Sequence, residues 1–137
     1  MKKTLIILTL LIGAFTNLKA QNLIGLSKSE VVSSIYNDNP NLKPEWGTNK
    51  YGAEYVYYIK PNKRSMIYYF NENGICYLYN AVYSYEEMNI VIETLNKTYT
   101  VYSDERWIDY NKTIDYLWRI QRDDEFFVVI CEIYKTH

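Results

Sequence analysis

Histidine is almost missing from this chain. Of its 137 residues only the last, His137, is one. A lone terminal histidine argues against histidine-based catalysis and against a multi-histidine metal site. Cysteine is nearly as scarce, with two residues, and glycine is held to five. No glycine-rich stretch is available to cradle a phosphate. An excess of charge of one sign is lacking too: fifteen basic side chains face sixteen acidic ones, a net charge of -1. Without a basic patch to neutralise phosphates, nucleic acid is not an expected partner. A hydrophobic content of 48% excludes a disordered or collagen-like chain. What the chain does have is tyrosine, sixteen of them against four phenylalanines and three tryptophans.

The only long apolar run lies at the start. Lys2 and Lys3 precede Leu5 to Phe15, which only Thr9 and Gly13 interrupt, and the segment ends in Leu18-Lys19-Ala20. That is the plan of a secretory signal peptide over residues 1–20, with cleavage before Gln21. The competing reading, a membrane anchor, falls short of the roughly 20 apolar residues a spanning helix needs. No cysteine precedes Cys76, so none is placed to carry a lipid. The expectation is export to the periplasm or outside the cell as a soluble protein, with no membrane partner after cleavage. Residues 21–137 then form a single domain with a net charge of -4, the signal having taken three lysines.

Two segments carry helix-start chemistry. Ser27-Lys28-Ser29-Glu30 fits a capping box, with Leu26 and Val31 at the staple positions. Asn37-Asp38-Asn39-Pro40 should end that helix. Ser84-Tyr85-Glu86-Glu87 fits the same box, and Met88, Val91, Ile92 and Leu95 follow amphipathic spacing, predicting a helix over 85–97. Strands are expected over 53–60 and 65–71, joined by a turn at Pro61-Asn62-Lys63-Arg64. Asn71-Glu72-Asn73-Gly74 is a tight-turn signal leading into a strand over 75–83. Stretches at 98–103 and 106–110, with Ser103-Asp104-Glu105 as a candidate break, precede strands over 113–121 and 125–134. The implied fold is α+β: a two-layer sandwich with two helices packed on one face of an antiparallel sheet, in the order α-β-β-β-α-β-β-β. The two boxes lie 57 residues apart, which raises an internal duplication.

Alternation assigns strand faces. Ile114, Tyr116, Trp118 and Ile120 form an apolar side of one strand, leaving Asp115, Leu117, Arg119 and Gln121 opposite. In 75–83, Cys76, Leu78 and Val82 read as inward, and Tyr77 and Tyr79 as outward. In the first hairpin Tyr55, Tyr57 and Ile59 are expected inward with Met66, Tyr68 and Phe70, leaving Tyr58, Ile67 and Tyr69 outward.

Cys76 and Cys131 fall on separate strands and on inward faces. An even count and an oxidising compartment favour a disulfide, which would close a loop of about 55 residues for about 4 kcal/mol. The other reading is two small buried hydrophobes that never meet. A catalytic thiol lacks an activating histidine. The acids at Asp104, Glu105, Asp109, Asp115 and 123–125 show neither a calcium-loop pattern nor a spacing that selects a glycosidase pair. No catalysis, cofactor or metal is therefore expected.

A tyrosine-rich sheet can simply be a stable one. Tyrosine also offers large amphipathic area at low entropic cost, so exposed clusters often mark recognition surfaces. On that reading Tyr58, Tyr69, Tyr77 and Tyr79, with Asp115 and Arg119, are the candidate binding residues. They would recognise a protein or peptide. The alternative is a carbohydrate or cell-wall binder or hydrolase using aromatics beside acids. A third arrangement buries the same face in a homodimer.

Gly25-Leu26-Ser27-Lys28-Ser29-Glu30-Val31 resembles the opening helix of small exported bacterial domains of the SmpA/OmlA and beta-lactamase-inhibitor-protein-like type. The resemblance implies helices on an antiparallel sheet and a role in binding other proteins. The chain departs from SmpA/OmlA in having no lipid-attachment cysteine and three expected strands between its helices. Tyr69-Phe70-Asn71-Glu72-Asn73-Gly74-Ile75-Cys76 resembles a stretch of small exported proteins of uncharacterised function, which implies no activity.

Overall fold

The computed structural model describes residues 23–60 and 65–137. The expected signal peptide over 1–20 and the turn at Pro61-Asn62-Lys63-Arg64 lie outside the described residues.

The first capping box forms as its residues dictate. Ser27 Oγ accepts from the Glu30 amide at 3.3 Å and Glu30 reaches back to the Ser27 amide at 3.5 Å. It opens helix α1, Lys28–Asp38, which buries Val31 and Ile35. The second box does not form. Ser84 makes no side-chain cap, and a single 3₁₀ turn, Tyr85–Glu87, leads into helix α2, Met88–Thr98. Met88, Val91, Thr94 and Leu95 are its buried residues.

Eight strands follow the helices in two groups of four. After α1 come β1 (Glu45–Thr48), β2 (Glu54–Ile59), β3 (Ser65–Phe70) and β4 (Cys76–Ser84). After α2 come β5 (Thr100–Ser103), β6 (Arg106–Asp109), β7 (Ile114–Arg122) and β8 (Phe126–Thr136). All pair antiparallel into one sheet of order β1-β2-β3-β4-β8-β7-β6-β5. The expected α-β-β-β-α-β-β-β sandwich is therefore corrected to a sheet-dominated fold with four strands behind each helix. Two strands account for the difference. Glu45–Thr48 reads as a loop because Pro44 and Gly47 interrupt any alternation, yet it pairs with β2 from Glu45↔Tyr57 to Thr48↔Glu54. Residues 98–110 divide into β5 and β6 around Asp104 and Glu105, the latter held at φ 55°.

The register aligns side chains into rungs that cross the whole sheet. One runs Trp46, Val56, Tyr68, Tyr79, Cys131, Trp118, Trp107, Val101, one residue from each strand. From Val56 to Trp107 these residues are buried, and they belong to the same apolar cluster as Val31, Ile35, Met88, Val91 and Leu95 of the helices. Tyr79 sits at its middle, with the ring of Tyr68 at 5.0 Å and that of Trp118 at 6.3 Å.

Two features overturn the expected strand faces. Tyr58 pairs with Met66 and Val56 with Tyr68, so Val56 and Tyr58 point into the core while Tyr55, Tyr57 and Ile59 do not. A shift of one residue in hairpin pairing moves every side chain to the other face. In β4 the bulge does the same: Phe70 opposes Cys76 and Tyr69 opposes Leu78, leaving Tyr77 as the extra residue. Beyond it Tyr79, Ala81 and Tyr83 turn inward and Leu78, Asn80 and Val82 turn outward.

Cys76 and Cys131 are both buried and both free. The register of β4 with β8 explains why the expected disulfide is absent. Cys131 lies opposite Tyr79, and Cys76 opposite Phe70, so the two thiols are offset along the sheet. Among the described residues no helix is long and apolar enough to cross a membrane.

Candidate functional site: the open sheet face

The face away from the core cluster carries two further rungs that cross all eight strands. One reads Gly47, Tyr55, Tyr69, Leu78, Glu132, Leu117, Ile108, Thr100. The next reads Glu45, Tyr57, Ile67, Asn80, Ile130, Arg119, Arg106, Ser103. Most of these side chains are half-buried, and Ile108 and Ile130 are buried, 1% and 4% exposed.

Tyrosines bank both ends of this face. At the β1–β3 end the rings of Tyr55 and Tyr69 lie 5.7 Å apart and those of Tyr55 and Tyr57 6.1 Å apart. Tyr55 lies across β1 at Gly47, where any β-carbon would meet its ring. The Tyr57 hydroxyl donates to the Glu45 carboxylate, and that bond raises its pKa. Burial raises the pKa of Tyr69, with Tyr55 and Tyr77 adding to the effect and a hydrogen bond from Asn80 opposing it. Tyr77, 38% exposed, completes this bank at the bulge.

At the other end Tyr102 of β5 meets Tyr134 of β8, ring centroids 5.9 Å apart. Two strands, β7 and β6, separate β8 from β5 in the sheet. Adjacent strands lie about 4.8 Å apart, so such a contact requires the sheet to curl toward these rings. The Tyr102 hydroxyl raises the Tyr134 pKa, and Tyr110 and Asp115 add to the rise. Between the banks runs a floor of Leu78, Ile130, Leu117 and Ile108. It is crossed by an ion pair of Arg119 Nε with Glu132 at 3.1 Å. Arg106 stands exposed beside Arg119 in the same rung. The Asn80 Oδ1, at the centre of the second rung, has no hydrogen-bond partner among the described residues.

The six expected binding residues separate. Tyr69, Tyr77 and Arg119 lie on the open face. Tyr58 and Tyr79, 1% and 0% exposed, are core residues and are corrected as such, for the register and bulge reasons above. Asp115 is 3% exposed, accepting from the Asn111 amide at 3.0 Å and contacting His137 Nε2 at 2.9 Å. It is a buried support at the β7–β8 bulge and is corrected from a contact residue. Tyr55 and Tyr57, expected inward, belong to the site, as do Leu117, Ile130, Glu132 and the bank of Tyr102, Tyr110 and Tyr134. Hairpin parity was the available signal for the first two, since the count of residues between strands decides which pair faces which side. Trp107 is buried, and exposed Trp46 packs on Phe70 at 5.8 Å, in the core rung rather than on this face.

Burial pushes the Cys76 thiol up to about 11 and raises that of Cys131 further from its ordinary range, so neither is a poised nucleophile. Among the described residues no cluster of histidine, cysteine and carboxylate side chains is spaced to hold a metal ion. No family model, curated protein or solved structure matches the chain.

Proposed function

We propose that the protein is a small exported binding module that holds another protein, or a peptide segment of one, in the curled open face of its sheet. The observation that carries this reading is the pair of open-face rungs, with leucine, isoleucine and an internal ion pair at the centre and tyrosines banked at both ends. Eight strands span roughly 34 Å, and four residues, the length of the shortest, span roughly 13 Å, which makes a face of at least roughly 450 Å². That is over half of the ~800 Å² each partner contributes to a standard protein interface. An apolar floor with a tyrosine-rich rim is also the composition of such interfaces rather than of ordinary surface. Protein binding is likewise what the resemblance of residues 25–31 implies, and export is what residues 1–20 imply.

Leu78 and Leu117 form the half-exposed apolar part of the floor, beside the internally neutralised Arg119–Glu132 pair, which suits a protruding apolar knob of a partner better than a hydroxyl-rich sugar. Photo-crosslinking tests this. A benzophenone side chain at Tyr77 or Tyr110 should join the protein to one partner of discrete mass in the native host. The same group at Ile90, exposed on α2, should not. A Tyr69→Ala, Tyr77→Ala double variant should lose the adduct made from position 110 while keeping its fold. Adducts equally abundant from position 90, adducts only of two copies of the chain, or none from the open face would each overturn the reading.

A further inference from the structure

At the curled end of the open face two strands each place an extra residue at the same point. In β5, Val101 pairs with Trp107 and Ser103 with Arg106, so Tyr102 is the extra residue of a bulge. In β8, Ile133 pairs with Tyr116 and Lys135 with Asp115, which leaves Tyr134 as the extra residue of a second bulge. A bulge re-aims a side chain that the regular pleat would send elsewhere. Here each aims a tyrosine at the other across two intervening strands, with ring centroids 5.9 Å apart and planes tilted by 54°. A hydrogen bond with the Tyr102 side chain raises the Tyr134 pKa, so the hydroxyls meet, and with them the ring carbons ortho to each oxygen. Tyr102 is 53% exposed and Tyr134 44%, which leaves both open to a reagent in solution. The other tyrosine contacts differ in this respect. Tyr68 and Tyr79 are buried, Tyr55 and Tyr69 are half-buried, and the Tyr57 hydroxyl is held by Glu45.

We propose that Tyr102 and Tyr134 form an oxidative cross-linking site, joined carbon to carbon as dityrosine by a peroxide-driven haem peroxidase acting as one-electron oxidant. Each phenol gives up one electron and one proton and becomes a phenoxyl radical. The two radicals couple through one ortho carbon of each ring, and the proton on each of those carbons then moves to oxygen, which restores both rings as phenols. The pair loses two hydrogens in all. One hydrogen peroxide takes up the two electrons and two protons and leaves as two waters. Coupling requires the radicals to meet before either decays, and the existing ring contact holds them together in advance. The new bond ties edge strand β5 to β8 and closes a loop of about 32 residues, so it fixes the curl of this bank.

The test treats the purified chain with a haem peroxidase and hydrogen peroxide, at a dilution where two molecules rarely meet. A monomer lighter by two hydrogens and carrying dityrosine fluorescence should appear. Trypsin should release residues 98–106 joined to residues 123–135, in which Tyr134 is the sole tyrosine. Fragmentation should place the bond at Tyr102 rather than at Tyr99. The cross-linked monomer should melt roughly 15 °C above the untreated chain, as expected for a loop of this length in a domain of this size. Tyr102→Phe and Tyr134→Phe, which keep a ring at exposed positions, should each abolish the monomer's dityrosine fluorescence, and Tyr110→Phe should leave it unchanged. No docking partner takes part, so the outcome is independent of the binding reading of the open face. Cross-links mainly between two molecules, a bond at Tyr99 or Tyr110, a Tyr102→Phe variant that cross-links as the wild type does, or an unmoved melting temperature would each overturn the proposal.

Discussion

Tyr77 and Tyr79 are the same residue type two positions apart on one strand, where simple alternation would give them the same environment. The bulge gives them opposite ones, and replacing each with alanine measures the difference. Tyr79 is 0% exposed and packed between Tyr68 and Trp118. A buried aromatic covers at least ~150 Å², which at about 25 cal/mol per Å² is about 4 kcal/mol, within the range seen for aromatic-to-alanine cavities. For a domain of this size that lowers the melting temperature by roughly 16 °C. Tyr77 is 38% exposed, and its loss leaves a surface that water refills rather than a cavity, so Tyr77→Ala should cost about 1 kcal/mol. Urea titration of each purified variant, followed by far-ultraviolet circular dichroism, reads both values from the midpoint at constant slope. Equal destabilisation of the two variants, or a larger effect of Tyr77→Ala, would refute the bulge and return Tyr79 to the open face.

Three further outcomes follow from the packing of Gly47 and the two cysteines. Gly47→Ala places a β-carbon where the Tyr55 ring lies, so that ring must leave its seat across β1. The Tyr55–Tyr69 ring-current shifts should change while stability falls by about 1 kcal/mol, and an unchanged NMR spectrum would show that the seat is not occupied. The thiols should resist alkylation in native protein at pH 8 and react fully in denaturant, with no disulfide in the intact mass; rapid native labelling of either would contradict their burial. Their raised pKa values also fix the sign of an alkaline effect. The unfolded thiol loses its proton near pH 8.5 and folded Cys76 near 11. Stability should therefore be intact below about pH 8.5 and fall toward pH 11 by up to about 1.4 kcal/mol per pH unit for Cys76, and Cys76→Ala should flatten the decline.

Features encoded by neighbouring residues were mostly legible in the sequence, the unformed box at Ser84 being the exception. Ser27 and Glu30 close their box within four residues. Asn71 Oδ1 accepts from the Asn73 and Ile75 amides, and Gly74 adopts φ 73°, so that turn needs nothing from the rest of the fold. Features that depend on a partner strand were not. Whether Tyr57 or Tyr58 faces the core is decided by the register with Met66. The inversion between Tyr77 and Tyr79 is decided by a bulge that β3 imposes on β4. Glu45–Thr48 has no pattern of its own and becomes a strand because β2 offers an edge. Tyr58 changes face through register and Tyr79 through the bulge, and neither change alters the hydrophobic content of its strand.

The order of the sheet also explains why the open face needs the whole chain. Each helix is followed by a four-strand meander, and each meander alone would end in an unpaired long strand, β4 of nine residues or β8 of eleven. Exposed long edges template aggregation. Pairing β4 with β8 over seven registered positions removes both, and leaves only β1 and β5, four residues each, at the borders. The same junction places Leu78 beside Glu132 and Asn80 beside Ile130, at the middle of the floor. The tyrosine banks therefore come from different halves, Tyr55, Tyr57, Tyr69 and Tyr77 from one and Tyr102, Tyr110 and Tyr134 from the other. A contact that spans the trough must engage both halves, and neither half could present it alone.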